Sequence, residues 1–261
     1  MKVDKDLKIT IITVCKNSQQ FLSETIESVI NQTYKNIEYI IIDGDSTDGT
    51  KEIIQRYLND INTWISEADS GMYDAINKGL RLATGDYILV LNSDDILAGS
   101  DTIKKAVDYI DIEKRDYYYG NMIKSNNGEK KQVKLFPVTF QQLLLSTHGT
   151  FAPHPCFFIS KKINKKLGGY DLKYKYASDY DYILRALAST GSNGKYLNIN
   201  ITNFRIHENS ITASGKIDAE RKKILLDHGY YRQPFLKRFF FYYTLWIYYK
   251  IINLANGYKA G

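Results

Sequence analysis

The chain has 261 residues, 44% hydrophobic and 25% charged, a balance that excludes a disordered or collagen-like protein and suffices for a core without disulfide or metal staples. The net charge of +6 is confined to the end: residues 216–261 hold 9 Lys/Arg against 3 Asp/Glu, while residues 1–215 hold 26 of each. Two cysteines, Cys15 and Cys156, make no secreted disulfide framework and read as reduced thiols of a cytoplasmic protein. Met1 to Lys8 is charged and lacks the apolar stretch of a signal peptide, and no run of 18 apolar residues spans a membrane.

In chain order, Ile9–Val14 is a β-branched strand run that stops at Lys16-Asn17-Ser18. Phe21, Leu22, Thr25, Ile26, Val29 and Ile30 then recur at helical spacing. Tyr39–Ile42 is a second strand, closed by the loop Asp43 to Thr50, and Ile53, Ile54, Tyr57 and Leu58 mark the next helix. Trp64–Ser66 is a weaker strand, Met72–Ala83 a helix ended by Thr84-Gly85, and Tyr87–Leu91 a strong strand that stops at Asn92-Ser93-Asp94-Asp95. Strands alternating with helices predict a Rossmann-like, mostly parallel sheet with right-handed crossovers and flanking helices. In such sheets ligands bind beyond the carboxyl ends of the strands, where these Asp- and Asn-rich loops collect.

The second half is less regular. Asp116–Ser125 and Lys131–Leu135 read as paired strands around Asn126-Asn127-Gly128, His154–Ile159 and Leu197–Phe204 as further strands, and Tyr180–Ala188 as a helix. The expected organisation is a catalytic unit over residues 1–215 and a basic, aromatic-rich helical tail over 216–261.

Asp94-Asp95 is the sharpest chemical signal. Adjacent acids past a buried strand repel unless a cation or hydrogen-bond donors intervene, and a divalent metal shared with substrate phosphates is a common solution. Neighbouring side chains on extended backbone point to opposite sides, so one acid would bind metal and the other ribose hydroxyls. A plain turn or helix cap explains the same pair. In the loop after the second strand, Asp48-Gly49 reads as a turn, with Ser46 or Asp48 as a cap. Asp43 at the strand end is left over, placed to accept the imide N–H of a uracil or thymine ring. No Gly-x-Gly-x-x-Gly and no Walker loop occurs.

Five segments in this order resemble glycosyltransferase family 2: Thr13-Val14-Cys15-Lys16-Asn17, Ile42 to Thr50, Asp69 to Gly79, Gly85-Asp86-Tyr87, and Leu91-Asn92-Ser93-Asp94-Asp95. These are the GT-A fold enzymes of bacterial polysaccharide and O-antigen synthesis. The resemblance implies a nucleotide-diphosphate sugar donor, a divalent cation (Mn²⁺ or Mg²⁺) and inverting transfer. It implies a donor site of Thr13, Lys16, Asn17, Asp43, Asp69, Gly71, Asn77, Lys78, Asn92 and Asp94, with Asn77 and Lys78 supporting the Asp69 loop or merely capping and solvating the helix. It assigns the metal to Asp95, with His207 as a further ligand or an exposed loop histidine. Asp179, in Ala177-Ser178-Asp179-Tyr180-Asp181, matches the family's catalytic base, although Ser178 stands where many members carry Glu. Asp181, a structural partner beside it, and His154 would lie on the acceptor side, His154 being otherwise an ordinary core histidine.

The tail from Phe235 to Ile252 carries nine aromatic residues flanked by Lys237, Arg238 and Lys250. Its uncharged run is too short to span a bilayer, so it reads as an interfacial helix on the inner face of the cell membrane. Self-association and packing on the domain are the competing uses. The expected acceptor is a glycan or an undecaprenyl-diphosphate-linked acceptor, and nucleic acid is not an expected partner. Against a transferase stand a nucleotidyltransferase, which should carry a Gly-rich basic loop after the first strand, and a non-enzymatic membrane- or nucleic-acid-binding module.

Overall fold

The computed structural model describes residues 7–126, 128–135, 137, 139–145, 154–207, 216–234, 236, 239–240, 243 and 247. The chain begins β1 (Ile9–Cys15), α1 (Leu22–Ile30), β2 (Ile37–Asp43), α2 (Thr50–Gln55), β3 (Thr63–Ser66), α3 (Met72–Leu82) and β4 (Tyr87–Asn92). It continues with β5 (Ile96–Leu97), α4 (Thr102–Glu113), β6 (Tyr117–Asn126), β7 (Glu129–Val133) and α5 (Phe140–Leu145). The described elements end with β8 (Phe157–Ser160), α6 (Lys161–Leu167), α7 (Ser178–Ser189), β9 (Gly194–Ile206) and α8 (Lys216–Asp227).

One sheet runs β3-β2-β1-β4-β8-β6-β9-β5, with β7 on β6. The β3-β2-β1-β4 half is parallel, as the alternation of strand and helix requires. The later half is mixed: β8 is antiparallel to both β4 and β6, while β6 and β9 run parallel with a register shift at Gly120 and Asn121. The strand expected over His154–Ile159 starts late. His154–Cys156 is a single 3₁₀ turn, because Pro155 has no N–H to give a ladder.

Every residue of β1 is buried, so helices cover both faces of the sheet. Ile9 and Ile11 pack with Leu22 and Ile26 of α1 and Ile103 and Ile110 of α4. Ile12 and Val14 face the other layer, with Tyr73 and Ile76 of α3, Leu184 and Leu187 of α7, and Ile224 and Leu225 of α8. A Cβ at Gly79 would come within 2.5 Å of Ile12 Cγ2, so glycine lets α3 lie directly on β1.

The boundary expected at residue 215 does not separate two bodies. Ile224 and Leu225 of α8 are buried in the main core. Glu220 accepts from three successive backbone N–H groups, those of Lys175, Tyr176 and Ala177, at 2.7, 2.5 and 2.6 Å. His228 bonds Asp181 at 2.8 Å. α8 is thus part of the domain, which the basic composition of the segment concealed. Most of the aromatic run beyond it lies outside the described residues. Leu236, Phe239, Phe240, Tyr243 and Ile247 are described and exposed. Among the described residues, no helix is long and apolar enough to cross a membrane.

Candidate active site

The loops after β1 and β2 are zipped together at the carboxyl edge. Asn17 sits in the left-handed region at φ 52°. Its N–H donates to Ser46 Oγ at 2.8 Å, its side-chain carbonyl accepts from Thr47 N at 2.9 Å, and Ser18 N donates to Thr50 Oγ1 at 2.7 Å. Gly71, at φ 121°, makes the turn into α3, a conformation that L side chains rarely adopt. Asp69 Oδ1 accepts from Gly71 N at 2.8 Å, and Lys78 supports the same loop through Ala68 O and Glu67, both at 2.9 Å.

A cavity of about 580 Å³ opens between these loops, β4 and the start of α7. Lys16, Asn17, Asp69, Gly71, Asn92, Asp94, His154, Asp179 and His207 all line it, from segments up to 191 residues apart in sequence. Among the described residues its lining carries three carboxylates, Asp69, Asp94 and Asp179, against the single ammonium of Lys16. A diphosphate entering this cavity needs a compensating cation.

Asp94 Oδ2 lies 2.9 Å from His207 Nε2, both half-buried at the cavity wall. A carboxylate and an imidazole in contact form an N/O donor pair suited to Mn²⁺, and one or two protein ligands with substrate phosphates suffice for Mg²⁺. Among the described residues no group of three His, Cys, Asp or Glu could hold a metal alone, so phosphate oxygens would complete the shell.

Six expected site residues, Thr13, Asp43, Asn77, Lys78, Asp95 and Asp181, do not line the cavity. Asp95 is sealed: its carboxylate accepts from Arg205 N and Asn92 Nδ2, both at 3.0 Å, and its carbonyl from Thr25 Oγ1 at 2.8 Å. Burial, then the charge of Asp94, pushes its carboxyl well above the usual range. Asp95, expected to hold the metal, therefore does not reach the cavity, because β9 closes over it; Asp94 is the acid of the pair that lines it. Asp43, at 0% exposure, accepts from Ser46 N, Ser46 Oγ and Ser66 Oγ, so it braces the loop and does not face the cavity. Thr13 is buried within β1, where Tyr39 Oη donates to it at 3.2 Å. Asn77 exchanges two bonds with the Tyr170 backbone, at 2.9 and 2.7 Å, and is a structural clamp.

Asp179, also in the lining, stands in the first turn of α7. Tyr73 Oη donates to its Oδ1 at 3.1 Å, and His154 Nδ1 lies 3.9 Å from its Oδ2. Asp181, two residues on, points away to Arg185 and His228 at 2.7 and 2.8 Å. Burial would raise its carboxyl, but His228 and Arg185 outweigh burial and hold it below the usual range. Asp181 is therefore a packing partner and not an acceptor contact. His154 is buried, which lowers its imidazole against the pull of Asp179 and Asp94, so it stays neutral. Tyr73 and Tyr176 also line the site and went unread in the sequence, since a lone tyrosine on a helix or loop looks like packing.

Glycosyl transferase family 2 matches residues 10–168, a segment that ends before Asp179 and His207. An uncharacterized glycosyltransferase of Mycobacterium tuberculosis is 31% identical over 180 residues, 68% of each chain. Among solved structures, Staphylococcus aureus TarS residues 1–349 in complex with UDP-GlcNAc aligns with a TM-score of 0.70 and 20% identity over 84% of this chain. The mannosyltransferase PcManGT of Pyrobaculum calidifontis, in complex with GDP-Man and Mn²⁺, aligns at 0.64 and 19% over 86%. This chain spans 65% and 64% of those two chains, and at these identities the likeness is one of fold, the GT-A fold.

Proposed function

The chain belongs to glycosyl transferase family 2, and from that premise we propose that it moves a sugar from a nucleotide-diphosphate sugar to a hydroxyl of a glycan acceptor, with inversion at the anomeric carbon. The observation that carries this reading is one cavity lined by both the Asp94–His207 pair and Asp179. A donor diphosphate at the pair would leave the anomeric carbon towards Asp179. Asp179 takes the proton of the acceptor hydroxyl as its oxygen attacks from the face opposite the leaving group. Asp94 and His207 would hold a divalent cation, Mn²⁺ or Mg²⁺, which would supply charge neutralisation for the departing diphosphate. Lys16 lines the same cavity and adds positive charge.

A UDP-sugar is the favoured donor, supported by the TarS complex, while the PcManGT complex keeps a GDP-sugar in the test. The proposed acceptor is a lipid-linked glycan of surface-polysaccharide synthesis, undecaprenyl diphosphate being the carrier. The tail would rest on the inner face of the cell membrane. The charge excess of residues 216–261 and the exposed Leu236, Phe239 and Phe240 support this. A second copy of the chain is the alternative occupant of that surface.

The test is nucleotide release from UDP-, GDP- and dTDP-sugars with and without Mn²⁺. Release should occur with one nucleotide class, stop in excess EDTA, and fall in Asp94→Asn with loss of the metal response. Release from none of the sugars would remove the transferase reading. Full activity in EDTA would remove the metal alone.

A further inference from the structure

His154 is 6% exposed, and its two ring nitrogens are in unlike surroundings. Nε2 lies 2.8 Å from Asn92 Oδ1. Asn92 Nδ2 donates to Asp95 Oδ2 at 3.0 Å, and Asp95 Oδ1 accepts from Arg205 N at 3.0 Å. The amide thus stands with its NH₂ to Asp95 and its carbonyl to His154. That carbonyl needs a donor, so Nε2 carries the imidazole proton. The sealed second acid thus sets the tautomer of a histidine across the cavity floor. Nδ1 is left with a bare lone pair. It is buried, has no hydrogen-bond partner among the described residues, and lies 3.9 Å from Asp179 Oδ2.

We propose that His154 Nδ1 and Asp179 Oδ2 together receive two neighbouring hydroxyls of the acceptor sugar, Asp179 the attacking one and His154 the one on the adjacent carbon. The proposal rests on the transferase reading above. Both atoms are acceptors, and one hydroxyl has one proton, so it satisfies only one of them. Hydroxyls on adjacent ring carbons offer two protons from oxygens that stand side by side. Each then reaches its own acceptor at an ordinary hydrogen-bond distance of ~2.8 Å. Tyr73 occupies Asp179 Oδ1, which directs Oδ2 to this task. In the transfer step the attacking hydroxyl gives its proton to Asp179. Its oxygen bonds the anomeric carbon, the bond to the diphosphate breaks, and the diphosphate keeps the electron pair. His154 neither gains nor loses a proton. It selects the acceptor and fixes its rotation, and a sugar deoxygenated beside the attacked carbon leaves Nδ1 unsatisfied.

Two substitutions separate this role from a structural one. In His154→Asn the amide carbonyl can stand where Nδ1 was, and the Asn92 contact is lost. In His154→Gln the amide reaches Asn92, and nothing replaces Nδ1. The assay uses the nucleotide sugar hydrolysed fastest and a panel of p-nitrophenyl glycosides, and reads transfer and hydrolysis in the same tube. H154Q should lower the transfer-to-hydrolysis ratio at least tenfold, and H154N less than threefold. For the glycoside used best, the analogue lacking the hydroxyl beside the new linkage should cost the wild type as much as H154Q does. It should cost H154Q nothing further, because the two changes remove the same contact. The opposite order of the variants, or equal use of the deoxy analogue by the wild type, overturns the proposal. The deoxy arm on the wild type decides alone if a variant does not fold. Hydrolysis without the predicted discrimination refutes only this inference, whereas absence of nucleotide release refutes the transferase reading.

Discussion

Replacing Glu220 with alanine should loosen the loop that presents the proposed base. Its carboxylate accepts from the N–H groups of Lys175, Tyr176 and Ala177, immediately before α7. Lys175 is exposed, so water can replace its bond, but Tyr176 is half-buried and Ala177 buried. A hydrogen bond to a charged group contributes ~1.5–3 kcal/mol, and a buried donor left unpaired costs ~1–3 kcal/mol. Two donors that water reaches poorly put the loss at about 2–4 kcal/mol. At about 2 °C per kcal/mol for a chain of this size, that lowers Tm by about 4–8 °C. Glu220→Gln keeps one oxygen acceptor and loses the charge, so it should fall between. Thermal unfolding followed by circular dichroism reads the first effect. Turnover at saturating donor reads the second and should drop by up to ~10²-fold, since a shift of about 1 Å at a reacting group suffices for that. An alanine variant that melts within about 1 °C of the wild type with unchanged turnover would show that the loop stands without α8.

Asp179→Asn keeps the shape and the Tyr73 bond but removes the proton acceptor; turnover should fall ~10²–10⁴-fold while donor affinity, measured by thermal shift, survives. Collapse of donor affinity with normal turnover would make Asp179 a binding residue. Glu38 is buried, which raises its carboxyl, but bonds from Thr10, Thr84 and Lys8 outweigh burial and hold it at about 2 against the ordinary 4.5. A depressed carboxylate stabilises above its unfolded pKa and loses that contribution as pH falls through the folded one, so stability should decline from about 4.5 to about 2. Glu38→Gln should flatten that acid limb, and an unchanged limb in urea titrations would refute the assignment. A chain ended after Gln233 keeps α8, so it should retain its fold and lose binding to anionic liposomes. A mass halved in light scattering with liposome binding intact would assign the tail to self-association instead.

The order of the first four strands and three helices is legible in the sequence, because buried parallel strands are short apolar runs and the loops between them are polar. Local chemistry also collects Lys16, Asn17, Asp69, Asn92 and Asp94 at one sheet edge, since each follows or ends a strand or precedes a helix. The alternation along an extended segment says that Asp94 and Asp95 diverge, but not which of them meets the ligand. That is decided by β9, whose Arg205 N–H stands 110 positions away and covers Asp95. Asp43 is likewise lost to the cavity because Ser66, from β3, completes a set of donors around it. Charge counting assigned α8 to the tail, yet Ile224 and Leu225 bury it in the core, for composition averages over a helix whose two faces differ. The tautomer of His154 and the company of Tyr73 at Asp179 also exist only in three dimensions. A hydrogen bond is specified by the positions of two atoms, and those positions follow from packing between segments that the sequence holds far apart.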